Sequence, residues 1–128
     1  MILKIDVENS EWNSLKDISN NILNQFKYIV IEFHFKNPEN KGKLYYKVLK
    51  KLKKSHQIFY LRCQRRYRIV TFGNNRICKY LEASYIIKKG NKFEKDESFY
   101  PIFKFDYKGP NINGRTEMNL NILKLFEL

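Results

Sequence analysis

Residues 2–15 read "ILKIDVENSEWNSL", and the change of rhythm inside them decides the fold. Leu3, Ile5 and Val7 alternate with Lys4, Asp6 and Glu8, the period-two pattern of a β-strand. From Ser10 onward the spacing lengthens. Trp12, Leu15, Ile18 or Ser19, Ile22 and Phe26 recur every three or four residues, which predicts one amphipathic helix over "SEWNSLKDISNNILNQF", residues 10–26. Ser10 is its expected N-cap, and Glu11 falls in the first turn, where the helix dipole favours an anion. "KYIVIEFHF" (27–35) follows, rich in β-branched and aromatic residues, a second strand. A strand–helix–strand unit closes right-handed with its strands parallel.

Working outward, "NPENKG" (37–42) reads as a loop and "KLYYKVLKKLKKS" (43–55) as a second helix. Leu44, Tyr45, Val48, Leu49 and Leu52 share one face of it, and lysines cover the other. "QIFYLRCQ" (57–64) and "CKYLEASYIIKK" (78–89) are two closing strands. They are joined through "RRYRIVTFGNNRI", where Gly73-Asn74-Asn75 suits a left-handed turn. With no helix between them, those strands are expected to be antiparallel. "YPIFKFDY" (100–107) alternates like a strand, "KGPNINGRT" (108–116) is turn-rich, and "MNLNILKLFEL" (118–128) is a short apolar segment. The expected class is α/β, part of a doubly wound sheet with helices on the faces. Residues 1–90 form the α/β unit and 91–128 an irregular extension packed on it.

The 128 residues carry a net charge of +12. Residues 1–40 hold four Lys against six acids, 41–90 hold fifteen Lys/Arg against Glu82 alone, and 91–128 hold six of each. The positive charge thus belongs to the middle segment, which can attract phosphates or acidic partners or serve only as a solvated face. No run approaches the roughly 18 apolar residues of a membrane span. The acids at positions 6 and 8 do not fit a secretory signal peptide. The compartment stays open, because a strand beginning at residue 2 suggests a chain that starts within a domain.

Two neighbouring parallel strands each carry an ionisable stripe near their carboxyl ends, the edge where open α/β sheets bind ligands. Glu32 and His34 share one face of the second strand, as Lys4, Asp6 and Glu8 share one face of the first. The expected register sets Lys4 beside Glu32 as a neutralising pair, with Asp6 and His34 nearer the rim. Asp6, Glu8 and His34 are the expected catalytic or ligand-contacting groups, since unpaired acids at a strand end are costly to bury. Their chemistry could be that of a general base, a contact to a cationic group or partial metal ligation, but no metal site is assigned, because three such residues do not make one without further ligands.

These residues resemble a family. "LKIDVENSEWNSL" followed by "IVIEFHF" is similar to the carboxyl-terminal half of the FkbM-type and methyltransferase-like S-adenosylmethionine methyltransferases. Lys4, Asp6, Glu8 and Glu11 match that family's first motif, with Asn9 where the family has glycine, and Glu32 and His34 match its Glu-x-His pair. The likeness spans roughly residues 2–88 by eye. It implies a partial Rossmann-like class I sheet, equivalent to strands four to seven. It also implies methyl transfer from S-adenosylmethionine to an oxygen or nitrogen acceptor, with Asp6, Glu8 and His34 at the reaction and Lys4, Glu11 and Glu32 in support. The cofactor's glycine-rich loop has no counterpart, as the only glycines are Gly42, Gly73, Gly90, Gly109 and Gly114. The isolated chain is therefore expected not to bind the cofactor, and the sequence to lack the first three strands.

Cys63 follows the first closing strand and Cys78 precedes the second, so an antiparallel pair would bring them to one end, within reach of a disulfide. Two semi-buried thiols are the alternative. Relatives that enter the secretory pathway would keep such a bridge. A rival function is a small basic module for nucleic acid, since "RCQRRYRIVTFGNNRICKY" (62–80) interleaves arginines with Tyr67, Phe72 and Tyr80. Another is a non-catalytic protein-interaction domain that docks a partner chain on its open sheet edge.

Overall fold

The computed structural model describes residues 1–63 and 69–94. The segments expected at 100–107, 108–116 and 118–128 lie outside the described residues, as does most of the extension expected from residue 91.

The chain opens with β1 (Ile2–Ile5), α1 (Glu11–Asp17), α2 (Asn20–Leu23) and β2 (Tyr28–His34). The helix expected over 10–26 is thus two helices. Ile18 takes an extended conformation with ψ 135, and Ser19 restarts the chain as an N-cap whose hydroxyl accepts from Ile22 N at 3.3 Å. Ser10 stands before α1 without capping it through its side chain. Lys51 stabilises the break from the third helix, donating to the carbonyls of Leu15, Lys16 and Ile18. An ammonium there satisfies carbonyls that the helix end leaves open. The break also rotates the following turn, so Leu23 enters the core while Ile22 stays exposed.

α3 (Pro38–Ser55) begins inside the stretch expected to be a loop. Pro38 suits a first turn, where its fixed φ is already helical and its missing N–H has no partner to lose. Glu39 at the start and Lys53 and Lys54 at the end complement the dipole. β3 (His56–Cys63) and β6 (Tyr80–Ile87) are the two closing strands, and they pair antiparallel. Between them stands a hairpin that the sequence reading reduced to a turn, β4 (Ile69–Phe72) and β5 (Asn75–Cys78). Gly73 opens its two-residue turn at φ +58, and a Cβ there would come within 3.0 Å of the Tyr46 hydroxyl. Both facts call for glycine.

The main sheet has the order β1-β2-β6-β3, with β1 and β2 parallel and β6 antiparallel to both β2 and β3. β1 is therefore an edge strand. Leu3, Ile5, Ile29, Ile31, Phe33, Leu81, Ala83 and Tyr85 share one face in this register. Trp12, Leu15 and Leu23 and the Tyr45, Val48, Leu49 and Leu52 stripe of α3 complete a single core with that face. The helices of the described residues thus lie on one face rather than on both. The reason is topological. The crossovers from β1 to β2 and from β2 to β3 step in the same direction across the sheet, so two right-handed connections put their helices on the same side. The other face carries Val30, Glu32, His34 and Glu82. No helix of the described residues is long and apolar enough to cross a membrane.

Candidate functional site

The site is set by how β1 ends. Val7 O accepts from Ser10 N at 3.1 Å across a turn in which Glu8 and Asn9 both have positive φ, 40 and 81. Asn tolerates this region better than most side chains, which accounts for Asn9; Glu8 occupies it at a cost. The turn delivers Glu11 and Trp12 onto the end of β2. The first two residues of α1 then hold a single residue of that strand. Glu11 Oε1 accepts from the backbone N of His34 at 2.8 Å and lies 3.2 Å from its Nδ1, while Trp12 Nε1 donates to His34 O at 2.9 Å. The indole is itself stacked on Phe33 with centroids 4.5 Å apart and rests against Tyr45 at 4.2 Å.

Glu11 is fully buried, and its second oxygen, Oε2, has no hydrogen-bond partner. A carboxylate only accepts, so with Glu11 as a carboxylate the contact at Nδ1 is a hydrogen bond donated by that nitrogen. The ring is thereby oriented with Nε2 facing the other way, 3.5 Å from Glu32 Oε1. Asp6 completes the group: Asp6, Glu32 and His34 each offer one atom, all within 4.8 Å of one another. His34 is buried, Glu32 half-buried and Asp6 exposed, so the cluster opens toward solvent on the Asp6 side. Burial first, and the charge of Glu11 as a smaller cause, raise the Tyr45 phenol above its ordinary range, against the lowering effect of backbone hydrogen bonds at Asn37 and Lys36.

Asp6 and His34 are thus brought together at the carboxyl ends of two parallel strands, as expected. The register is not the expected one. Lys4 stands opposite Val30 and is exposed, so the side-by-side placement with Glu32 is corrected: Glu32 sits one pleat further on, level with Asp6. Glu8 lies exposed in the turn and outside the three-residue cluster. The sequence reading treated Glu32 and Glu11 as support only; the pleat that puts Glu32 and His34 on one face was visible, the register was not.

A separate open cleft of about 400 Å³ lies beside the start of α3, lined by Lys36, Pro38, Glu39, Val70, Thr71 and Gly73. It shares no residue with the cluster. Within the arginine–aromatic stretch over 62–80, residues 64–68, which include Arg65, Arg66, Tyr67 and Arg68, lie outside the described residues. Cys78 is buried and disulfide-bonded.

No protein-family model, no curated protein and no solved structure matches the chain. The class its own geometry defines is an α/β unit with an open, mixed four-stranded sheet and an acid–imidazole cluster at the rim.

Proposed function

We propose that this chain supplies the acceptor side of a methyltransferase-like cleft, in which a hydroxyl or amine is methylated from S-adenosylmethionine. The reading rests on the resemblance of "LKIDVENSEWNSL" and "IVIEFHF". The observation that carries it is the convergence of Asp6 and His34 where two parallel strands end, the place where open α/β sheets take their ligands. Asp6, exposed at the rim, is suited to orient an acceptor O–H or N–H and take up its proton. His34, held at both its backbone N and O, is the fixed element against which the acceptor is placed.

The described residues do not fit the cofactor itself. Gly42 lies inside α3 and Gly73 in a hairpin turn, so neither forms the strand–glycine loop–helix that cradles a nucleotide. No step through the cofactor is assigned to these residues. The protein, expressed from its own locus with whatever in-frame sequence that locus carries, should be assayed with methyl-labelled S-adenosylmethionine and mixed hydroxyl and amine acceptors. Label transfer that falls at least tenfold in Asp6→Asn supports the reading. An absence of transfer, or transfer indifferent to Asp6→Asn, overturns it.

A further inference from the structure

We propose that Asp6, Glu32 and His34 bind a divalent first-row transition-metal ion, through one oxygen of each carboxylate and Nε2 of the imidazole. The inference stands on the geometry of the cluster and does not depend on methyl transfer.

Glu11 Oε1 lies 3.2 Å from Nδ1 on one side of the ring, which leaves Nε2 facing Glu32 Oε1, 3.5 Å away. Asp6 adds a second carboxylate within 4.8 Å. Two carboxylate oxygens and an imidazole nitrogen this close together form a set that one cation can bridge. A proton on Nε2 serves only one carboxylate; a cation serves all three.

The spacing suits a metal. Bonds to nitrogen and oxygen of about 2.0–2.2 Å set tetrahedral donors roughly 3.4 Å apart, close to the Nε2–Oε1 separation of 3.5 Å. Asp6 is exposed, so no neighbouring packing holds its side chain away from the other two ligands. The support is equally specific. A buried carboxylate hydrogen-bonded to the far nitrogen of a histidine fixes its tautomer and raises its basicity toward a metal, which is the relation of Glu11 to His34.

The donor set selects the ion. Carboxylates suit hard cations, but imidazole disfavours Ca²⁺ and Mg²⁺, and no thiolate is offered for soft ones. Zn²⁺, Mn²⁺, Fe²⁺ and Co²⁺ remain. Three protein ligands leave a coordination position open on the solvent side. The chain's other histidine does not compete, because both nitrogens of His56 are engaged, by Ser55 Oγ and by Phe26 O.

The test uses tag-free full-length chain stripped with chelator, titrated with Zn²⁺ by calorimetry and separately with Mn²⁺ under NMR observation. One-to-one Zn²⁺ binding, weakened at least tenfold in Asp6→Asn with unchanged thermal stability of the metal-free protein, supports the site. Manganese broadening centred on Asp6, Glu32 and His34 supports it as well. No Zn²⁺ heat overturns it. Binding equally strong in Asp6→Asn, or broadening centred elsewhere, also overturns it. Should methyl transfer fail while Zn²⁺ binds as stated, only the functional reading is lost.

Discussion

A single oxygen of Glu11 meets His34 twice, at the backbone N (2.8 Å) and at ring Nδ1 (3.2 Å), and it does so from a position entirely out of water. The same residue secures the end of β2 and sets the direction of the imidazole. A buried carboxylate so placed costs desolvation free energy that the two hydrogen bonds must offset. It is the junction of fold and site.

Glu11→Gln is therefore expected to separate the two roles. The amide keeps the shape and can still accept from the His34 backbone through its oxygen, so the protein should fold with a loss of about 1–3 kcal/mol, read from urea unfolding. Because the same oxygen serves both contacts, the neutral amide oxygen still accepts from Nδ1–H but more weakly, so the preference for one tautomer should weaken, seen as a change in the ¹⁵N shifts of His34. Unchanged shifts would show that something other than Glu11 orients the ring.

The two serines near α1 give a second contrast. Ser19 caps α2 through its hydroxyl, whereas Ser10 makes no side-chain cap bond. Ser19→Ala should cost about 1 kcal/mol, and Ser10→Ala less than about 0.5 kcal/mol, in line with a surface change. Equal losses in chemical denaturation would contradict the break at Ile18.

That break also marks what the sequence could and could not reveal. The strand from Ile2, the aromatic strand 28–34, the lysine-faced helix and the two closing strands were legible because each carries its own period over many residues. The Ile18–Ser19 interruption was hidden because Ile22 fits the helical spacing as well as Leu23 does. Only Lys51, 33 residues away from Ile18, decides between them by drawing the carbonyls of α1 onto its ammonium. The cluster was legible in the same partial way. Alternation put Glu32 and His34 on one face, but a slip of one pleat between parallel strands leaves every face unchanged and exchanges Lys4 for Asp6 as the neighbour of Glu32. The all-one-side helices follow from strand order, which no local pattern encodes.

Alkaline pH should destabilise the protein through two buried phenols. Burial raises the Tyr45 phenol, and raises Tyr85 well above its ordinary value near 10. Above that pH the unfolded chain loses these protons while the folded chain retains them, so the unfolded state binds fewer protons and stability falls as pH rises. Below it, both states are protonated and the contribution is fully present. Melting temperature should hold steady up to about pH 9 and fall beyond about pH 10. Tyr85→Phe should flatten the fall; a slope unaltered in that variant would assign it to other groups.

The hairpin β4–β5 rises between β3 and β6, and its base is where the cysteines stand. Ile69 pairs with Cys78, and Cys63 with Leu81, so backbone register brings the two cysteine positions to the same end of the paired strands. Cys78 is disulfide-bonded and the chain has two cysteines, which makes Cys63 its expected partner within the chain. Such a bridge closes a loop near the length for which chain entropy gives about 3 kcal/mol. The intact mass without reductant should lie two hydrogens below that of the reduced chain, and an alkylating reagent should label neither cysteine until reductant is added. Reduction should then lower the midpoint of urea unfolding, and Cys63→Ser with Cys78→Ser should reproduce that lower midpoint and make it insensitive to reductant. Two thiols labelled in the native chain, or a covalent dimer on a non-reducing gel, would exclude the intrachain bridge and leave the hairpin anchored by packing, to which Val70, Ile77 and Cys78 contribute.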